Sequence, residues 1–486
     1  MVYNDTSIGF DALLEGHGML NLVSNRTEQA SGITRRVILR AGAMAMGGLT
    51  LADLLRAEAL AGRGSSNKAV INIHLDGGPP QMDMIDLKPQ APVEIRGEFQ
   101  GIDTRLPGFQ ICELMPKVAS LADKFAFIRS LVGAASAHNA FQCMSGFPES
   151  DLASLGGRPA LGSVVARLKG SLADTAPSFV DLMQGRALVR DSARPGFLGP
   201  AYQPFRPDMS QMFQRELEKG MMAELARRGD NHTTKLSLID ELSVERLNDR
   251  TALLAGLDSL RRDIDSSGMM GAMDGFTQQA VGILTSGRFA EAMDFSQEDP
   301  RTIEHYGGQA AGIEAVGTSD GGKAVLKLLL ARRLVEAGVR VVSISLSDYD
   351  THSGNFTRLR RLLPTLDQGL HALVTDLDQR GMLDDVTIVV WGEFGRTPKI
   401  NKNAGRDHWP SVGPAIMAGG GMRTGQVIGS TDRYAATATS RPVHYQDVLA
   451  TVYHNLGIDL RSTTLVDPSG RPQYLLDRGM AIGELV

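Results

Sequence analysis

Cysteine is almost missing from the sequence. Cys112 and Cys143 are the only two in 486 residues, which excludes a disulfide framework and a zinc–thiolate site. Whether these two pair with each other is not fixed by sequence. Charge of one sign is also lacking: the formal net charge is −5, with acids and bases interspersed. The chain therefore has neither the basic footprint of a nucleic-acid binder nor a patch suited to an anionic membrane. There is no internal repeat, no long low-complexity segment, and no apolar run long and strong enough for a membrane span. What is present is a 42% hydrophobic content, ample for a substantial core, so the composition is that of a globular protein acting on small or locally bound substrates.

Residues 31–61 read SGITRRVILRAGAMAMGGLTLADLLRAEALA. Arg35 and Arg36 precede a modestly apolar, Gly- and Ala-rich run, which resembles a twin-arginine export signal. Small-x-small sites ending at Ala59 or Ala61 suit cleavage, and Asp53 breaks the run. An amphipathic helix with two surface arginines is the competing reading. On the export reading, residues 1–61 are an N-terminal extension and signal, the twin-arginine machinery is a partner, and the mature protein is periplasmic or extracellular.

Beyond a Gly-Ser linker at 62–66, short β-branched runs alternate with helix-length stretches. Strands are expected over 69–75, 125–129, 179–182, 339–345, 386–390 and 414–418, and helices over 160–169, 323–337, 359–380 and 444–456. From about 205 to 290 the apolar spacing becomes that of helices with solvated charged faces, which reads as a helical insertion. Strands separated by helices predict an α/β fold over 67–486: a doubly wound, mostly parallel sheet with helices on both faces.

Chemistry-bearing residues collect where those strands end. Asp76 follows the first strand; Asp348, Asp350 and His352 follow the fourth; Glu393 follows the run at 386–390, and Asp407 and His408 close the loop after it. Parallel sheets bring such ends to one rim. Mixed carboxylate and imidazole ligands suit zinc, manganese or iron, and carboxylates alone suit magnesium or calcium, so a divalent metal is the expected cofactor. Capped loop turns are the competing reading for the Asp-His pairs. His74 and His371, inside a strand and a helix, read as structural.

The runs LDGGPPQMDMIDLKP, DTHSGNF, WGEFGRTPKIN, GRDHWP and RPVHYQDVLATVYHNLGID strongly resemble the domain-of-unknown-function 1501 family, exported proteins grouped with the alkaline phosphatase and sulfatase superfamily. The resemblance implies a one- or two-metal site on the carboxyl rim, with Asp76, Asp348 and His352, Glu393 and His408 in the superfamily's ligand positions and Asp350 competing with Asp348. It also implies a nucleophile nine residues before Ser145-Gly146, at Ser136, with His138 close behind it. A serine at a helix N-terminus beside a metal could attack an ester. His138 and Ala140 stand where sulfatases carry Pro and Arg, which argues against a formylglycine. Phe394 stands where alkaline phosphatases carry a ligating His, leaving one imidazole short. The implied activity is metal-dependent hydrolysis of phosphate or sulfate esters on a small or polymeric substrate, by Ser136 or a metal-bound hydroxide, with Arg396 neutralising developing charge. The alternative is a non-catalytic ligand-binding or assembly protein on the same fold.

Overall fold

Ala69–Leu75 (β1) carries Val, Ile and Leu at four of its seven positions, and the period of two divides them between two cores: Ile71, Ile73 and Leu75 face one, Val70 the other. The computed structural model describes residues 68–153, 156–171, 174, 176–183, 189, 191–207, 209, 212–213, 287–307, 320 and 323–486. In it β1 lies inside an eight-stranded sheet. The other strands are Phe125–Val132 (β2), Phe179–Leu182 (β3), Val341–Leu346 (β4), Val386–Trp391 (β5), Gly413–Gly419 (β6), Gln426–Ile428 (β7) and Val443–His444 (β8). Their order is β7-β2-β6-β5-β1-β4-β3, with β8 also pairing β2. All pairings are parallel except those of β6, which runs antiparallel to both β5 and β2. The sheet is thus mostly parallel, with a single reversed strand near its middle.

Both faces are covered, as doubly buried parallel strands require. Helices Leu326–Glu336, Asn355–Gln379 and Pro116–Ser120 pack on the side of Ile71, Ile388 and Ile344. Helices Phe141–Ser145, Leu161–Lys169 and Tyr445–Asn455 pack on the side of Val70, Val389 and Met417. The helix expected over 359–380 starts four residues earlier, at Asn355, and holds Pro364 in its interior. Met1–Ser66 and Asn67–Val486 are separate units. The twin-arginine segment lies outside the described residues, as does all of the expected 205–290 insertion but its ends. Of those ends, Phe205 bridges Val180 beside β3 and Arg288–Met293 is helical.

What fixes the loops above the sheet is a buried ion pair. After β1 the chain turns through Gly77, whose φ of 112° suits glycine alone and where a Cβ would lie 2.3 Å from the Asp350 nitrogen. It then forms the short helix Gln81–Met84, which buries Asp83. Arg406 donates to Asp83 through Nε at 2.7 Å and Nη2 at 2.8 Å, and neither residue reaches solvent. Asn355 donates to Asp83 at 2.8 Å and accepts from Thr351 at 2.7 Å. The Arg406 amide donates to the Thr351 carbonyl at 2.8 Å. One carboxylate thus holds together the segments that carry Asp76, His352 and His408.

Removing one member of a buried, hydrogen-bonded pair strands the other charge. Arg406→Ala should lower stability by about 3–5 kcal/mol in urea unfolding; a change under about 1 kcal/mol would show that the clamp does not hold the loops. A titration effect adds to this. Asp367 is buried and accepts from the Lys117 and Val118 amides at 3.1 and 2.7 Å. Burial pushes its carboxyl up from 3.8 to about 6, against the pull of those two donors. The folded state therefore keeps a proton that the unfolded chain has released, so this group's contribution is complete below about pH 4 and lost as pH rises through 6. Wild type should lose on the order of 2–3 kcal/mol relative to Asp367→Asn across that window. Urea midpoints at pH 4.5, 5.5 and 7 check this, and a constant difference contradicts it.

Candidate metal centre

Strands β5, β1 and β4 are neighbours, with His74 level with Trp391 and Leu75 level with Leu346. Their carboxyl ends therefore release Glu393, Asp76 and the 348–352 turn side by side, at the rim where open α/β sheets bind ligands. The reversed strand β6 begins on this same rim. A two-residue ribbon, Gly395–Arg396 against His408–Trp409, brings His408 to it. His138 arrives on the connection that follows β2.

Three imidazoles turn one nitrogen each toward Asp350. Nε2 of His352 lies 3.1 Å from Oδ1, Nε2 of His408 lies 3.4 Å from Oδ1, and Nε2 of His138 lies 3.3 Å from Oδ2. The opposite nitrogens are each held by an acceptor. Nδ1 of His352 meets Asp407 at 2.6 Å, Nδ1 of His408 the Ser136 carbonyl at 3.2 Å, and Nδ1 of His138 Glu393 at 3.1 Å. This is how metal-binding histidines are oriented, with an outer acceptor fixing the tautomer and the ring. His138, Asp350, His352 and His408 each offer a ligand atom within 4.8 Å of the others. Burial alone would raise the Asp350 carboxyl, but the His138 and His408 imidazoles and the Arg396 guanidinium outweigh it and hold it well below the usual carboxylate range.

His74, Asp76 and Glu393 form a second, deeper group within the same span. Glu393 is fully buried, accepts from the Gly77 amide at 2.9 Å, and lies 3.2 Å from His74 Nε2. Burial pushes its carboxyl up, but His138 and His74 pull it below its ordinary value. Its backbone is held as well: Gln142 donates to its carbonyl at 2.7 Å. Glu393 joins the two groups through His138. The outer group is the open one, since the His352 side chain is 46% exposed.

Several residues stand elsewhere than the sequence suggests. Asp348 belongs to neither group: it takes φ 76° as the chain leaves β4, and Asp350 reaches the imidazoles instead. Asp407 is an outer partner of His352. Ser136 is exposed in a bend, and the following helix begins only at Phe141, so it does not stand at a helix N-terminus. Arg396 has no free face toward the rim: it is fully buried and donates to the Gly78 and Arg406 carbonyls at 3.1 and 2.9 Å, to the Gly77 carbonyl, and to Asp350 at 2.6 Å. It shapes the site by fixing Asp350, and is not placed to meet a transferred group. His74, read from sequence as a core residue, joins Glu393; its place two residues before Asp76 on one strand face was the available signal. His138 stands 3.1 Å from Glu393, and the Phe394 ring packs 4.2 Å from that of His408.

The donor set fits a divalent cation: three imidazole nitrogens and a carboxylate suit zinc or manganese, and Nδ1 of buried His74 has no hydrogen-bond partner among the described residues. Among solved structures, the chain is similar to the PsFucS1 sulfatase from Pseudoalteromonas sp., at 12% identity and TM-score 0.38, over 83% of this chain and 70% of that one. It is also similar to the phosphonate monoester hydrolases of Agrobacterium radiobacter, at 13% and 0.32, and of Silicibacter pomeroyi, at 12% and 0.29, each over 81% of this chain and 74% of that one. No protein of curated function matches the sequence. The family model described as "Protein of unknown function (DUF1501)" matches residues 67–486, and the chain belongs to that family.

Proposed function

We propose that the protein is an exported, metal-dependent hydrolase of phosphate or sulfate esters. The observation that carries this reading is the convergence of three Nε2 atoms on Asp350 while each Nδ1 is tied to its own acceptor. Metal-ligating histidines almost always carry such an outer acceptor on the second nitrogen. A divalent cation held by His138, Asp350, His352 and His408 would polarise an ester oxygen and neutralise charge developing on the transferred group. The chain's own contributions follow from geometry. Asp407 orients His352, Glu393 orients His138, and the Ser136 carbonyl orients His408. Ser136, exposed beside His408, is the serine this reading puts forward as nucleophile.

A second reading, a ligand-binding protein that keeps the metal but has no turnover, is favoured by one observation: Arg396 is fully buried and turned to carbonyls and Asp350. Two variants separate the readings. His352→Ala should abolish stoichiometric zinc or manganese binding in calorimetry. Asp407→Asn should weaken it about 10–100-fold. Turnover of 4-nitrophenyl phosphate or sulfate should fall in parallel in both, and in Ser136→Ala. Metal binding without turnover of any ester favours the binding protein, and absence of metal binding sinks both.

Export rests on Arg35 and Arg36 ahead of an apolar run. No helix among the described residues is long and apolar enough to cross a membrane. Replacing both arginines with lysine should hold the precursor in the cytoplasm on fractionation; unimpeded export of that variant would overturn this part.

A further inference from the structure

Away from the imidazoles, a cavity of about 290 Å³ opens between the segment that follows Asp83 and strand β2. That is close to the lower end of small-ligand sites, roughly 300–1,000 Å³, and is room for a single ring. Its lining shares no residue with either candidate metal group.

The charges around it are unevenly matched. Lys88, Arg96 and Arg129 line it from three separate parts of the chain. Asp86 is 1% exposed and already engaged: it accepts from Lys88 at 3.0 Å and from the Thr431 hydroxyl, and lies 3.6 Å from Arg129. Arg129 also donates to the Gly429 carbonyl at 3.2 and 3.1 Å. Asp103, the other carboxylate of the lining, accepts from Gln110 at 2.8 Å. Lys88 and Arg129 both turn to Asp86, whereas the Arg96 guanidinium has no hydrogen bond or ion pair among the described residues. Arg96 is half-buried at the end of the short helix Val93–Arg96, so it has lost part of its hydration without gaining a partner. Phe99 and Phe109, both buried, supply an apolar wall.

We propose that this cavity is a second ligand site, which takes a small ring bearing one singly charged sulfate- or sulfonate-type oxyanion. Arg96 would pair with the anion through its planar fork, with Lys88 and Arg129 adding to the field, and the ring would lie against Phe99 and Phe109. The site is independent of the hydrolytic reading, since none of its residues touches the imidazole group.

Benzenesulfonate, whose carbon–sulfur bond the proposed hydrolase would not cleave, is the probe. Titrated calorimetrically into the full chain at low salt, it should occupy one saturable site. Arg96→Ala should weaken that binding at least tenfold without shifting the thermal midpoint, since the side chain has no structural partner to lose, and Arg96→Lys should recover only part. His408→Ala should leave the affinity unchanged. Equal affinity in wild type and Arg96→Ala, loss of binding in His408→Ala, or no saturable binding at all would overturn the proposal. Inorganic sulfate binding as tightly as benzenesulfonate would overturn the role of the ring.

Discussion

The pairing of Asp83 with Arg406 is the constraint on which the loops over this sheet depend. A carboxylate and a guanidinium without solvent contact are costly unless nearly every donor and acceptor is matched, and here they are. Besides Asp83, Arg406 reaches the carbonyls of Thr397 at 3.1 Å and Ile95 at 2.8 Å and that of Pro398. Its own carbonyl accepts from Arg396 at 2.9 Å, which connects it to Asp350 one step further on. Only the five-donor fork of arginine can engage so many partners at once, so a lysine at 406 would keep the charge and lose the geometry. Next to it, Gly405 lies so close that a Cβ would fall 2.1 Å from the His352 carbonyl. Backbone approach and ion pair together set where Asp407 and His408 stand.

The electrostatics of the rim follow from that rigidity. Asp350 and Glu393 are two carboxylates within reach of one imidazole, His138, and burial opposes the ionisation of both. Against burial, Arg396 donates to Asp350 at 2.6 Å, with His138 and His408 beside that carboxylate, and the Gly77 amide donates to Glu393 at 2.9 Å, with His74 beside it.

Much of this architecture is legible in the sequence because it is local. Runs such as VTIVVW and VVSISL announce buried strands by their β-branched content, and the acids that follow them mark the carboxyl rim. Asp76, His352, Glu393 and His408 could be named on that basis. The rest depends on information that no short window holds. Nothing in GPAIMAG says that β6 runs against its neighbours, yet that reversal is what places His408 on the rim. The choice of Asp350 over Asp348 turns on one left-handed residue, which an aspartate adopts more readily than most. Arg396 looks like a substrate-facing cation until the carbonyls of Gly77 and Gly78, over three hundred residues earlier in the chain, are seen to surround it.

The central place of β1 also has a bearing on how the protein is made. Its two partners are β4 and β5, so both of its edges stay without hydrogen-bonded neighbours until residues 341–391 have left the ribosome. A strand as apolar as Ala69–Leu75 with two open edges invites pairing with other chains, and non-local parallel pairing of this kind closes slowly. The nascent chain therefore passes a long interval in which this strand is finished and its sheet is not. A chaperone that covers the stretch around Ile71 and Ile73 during synthesis would meet that need.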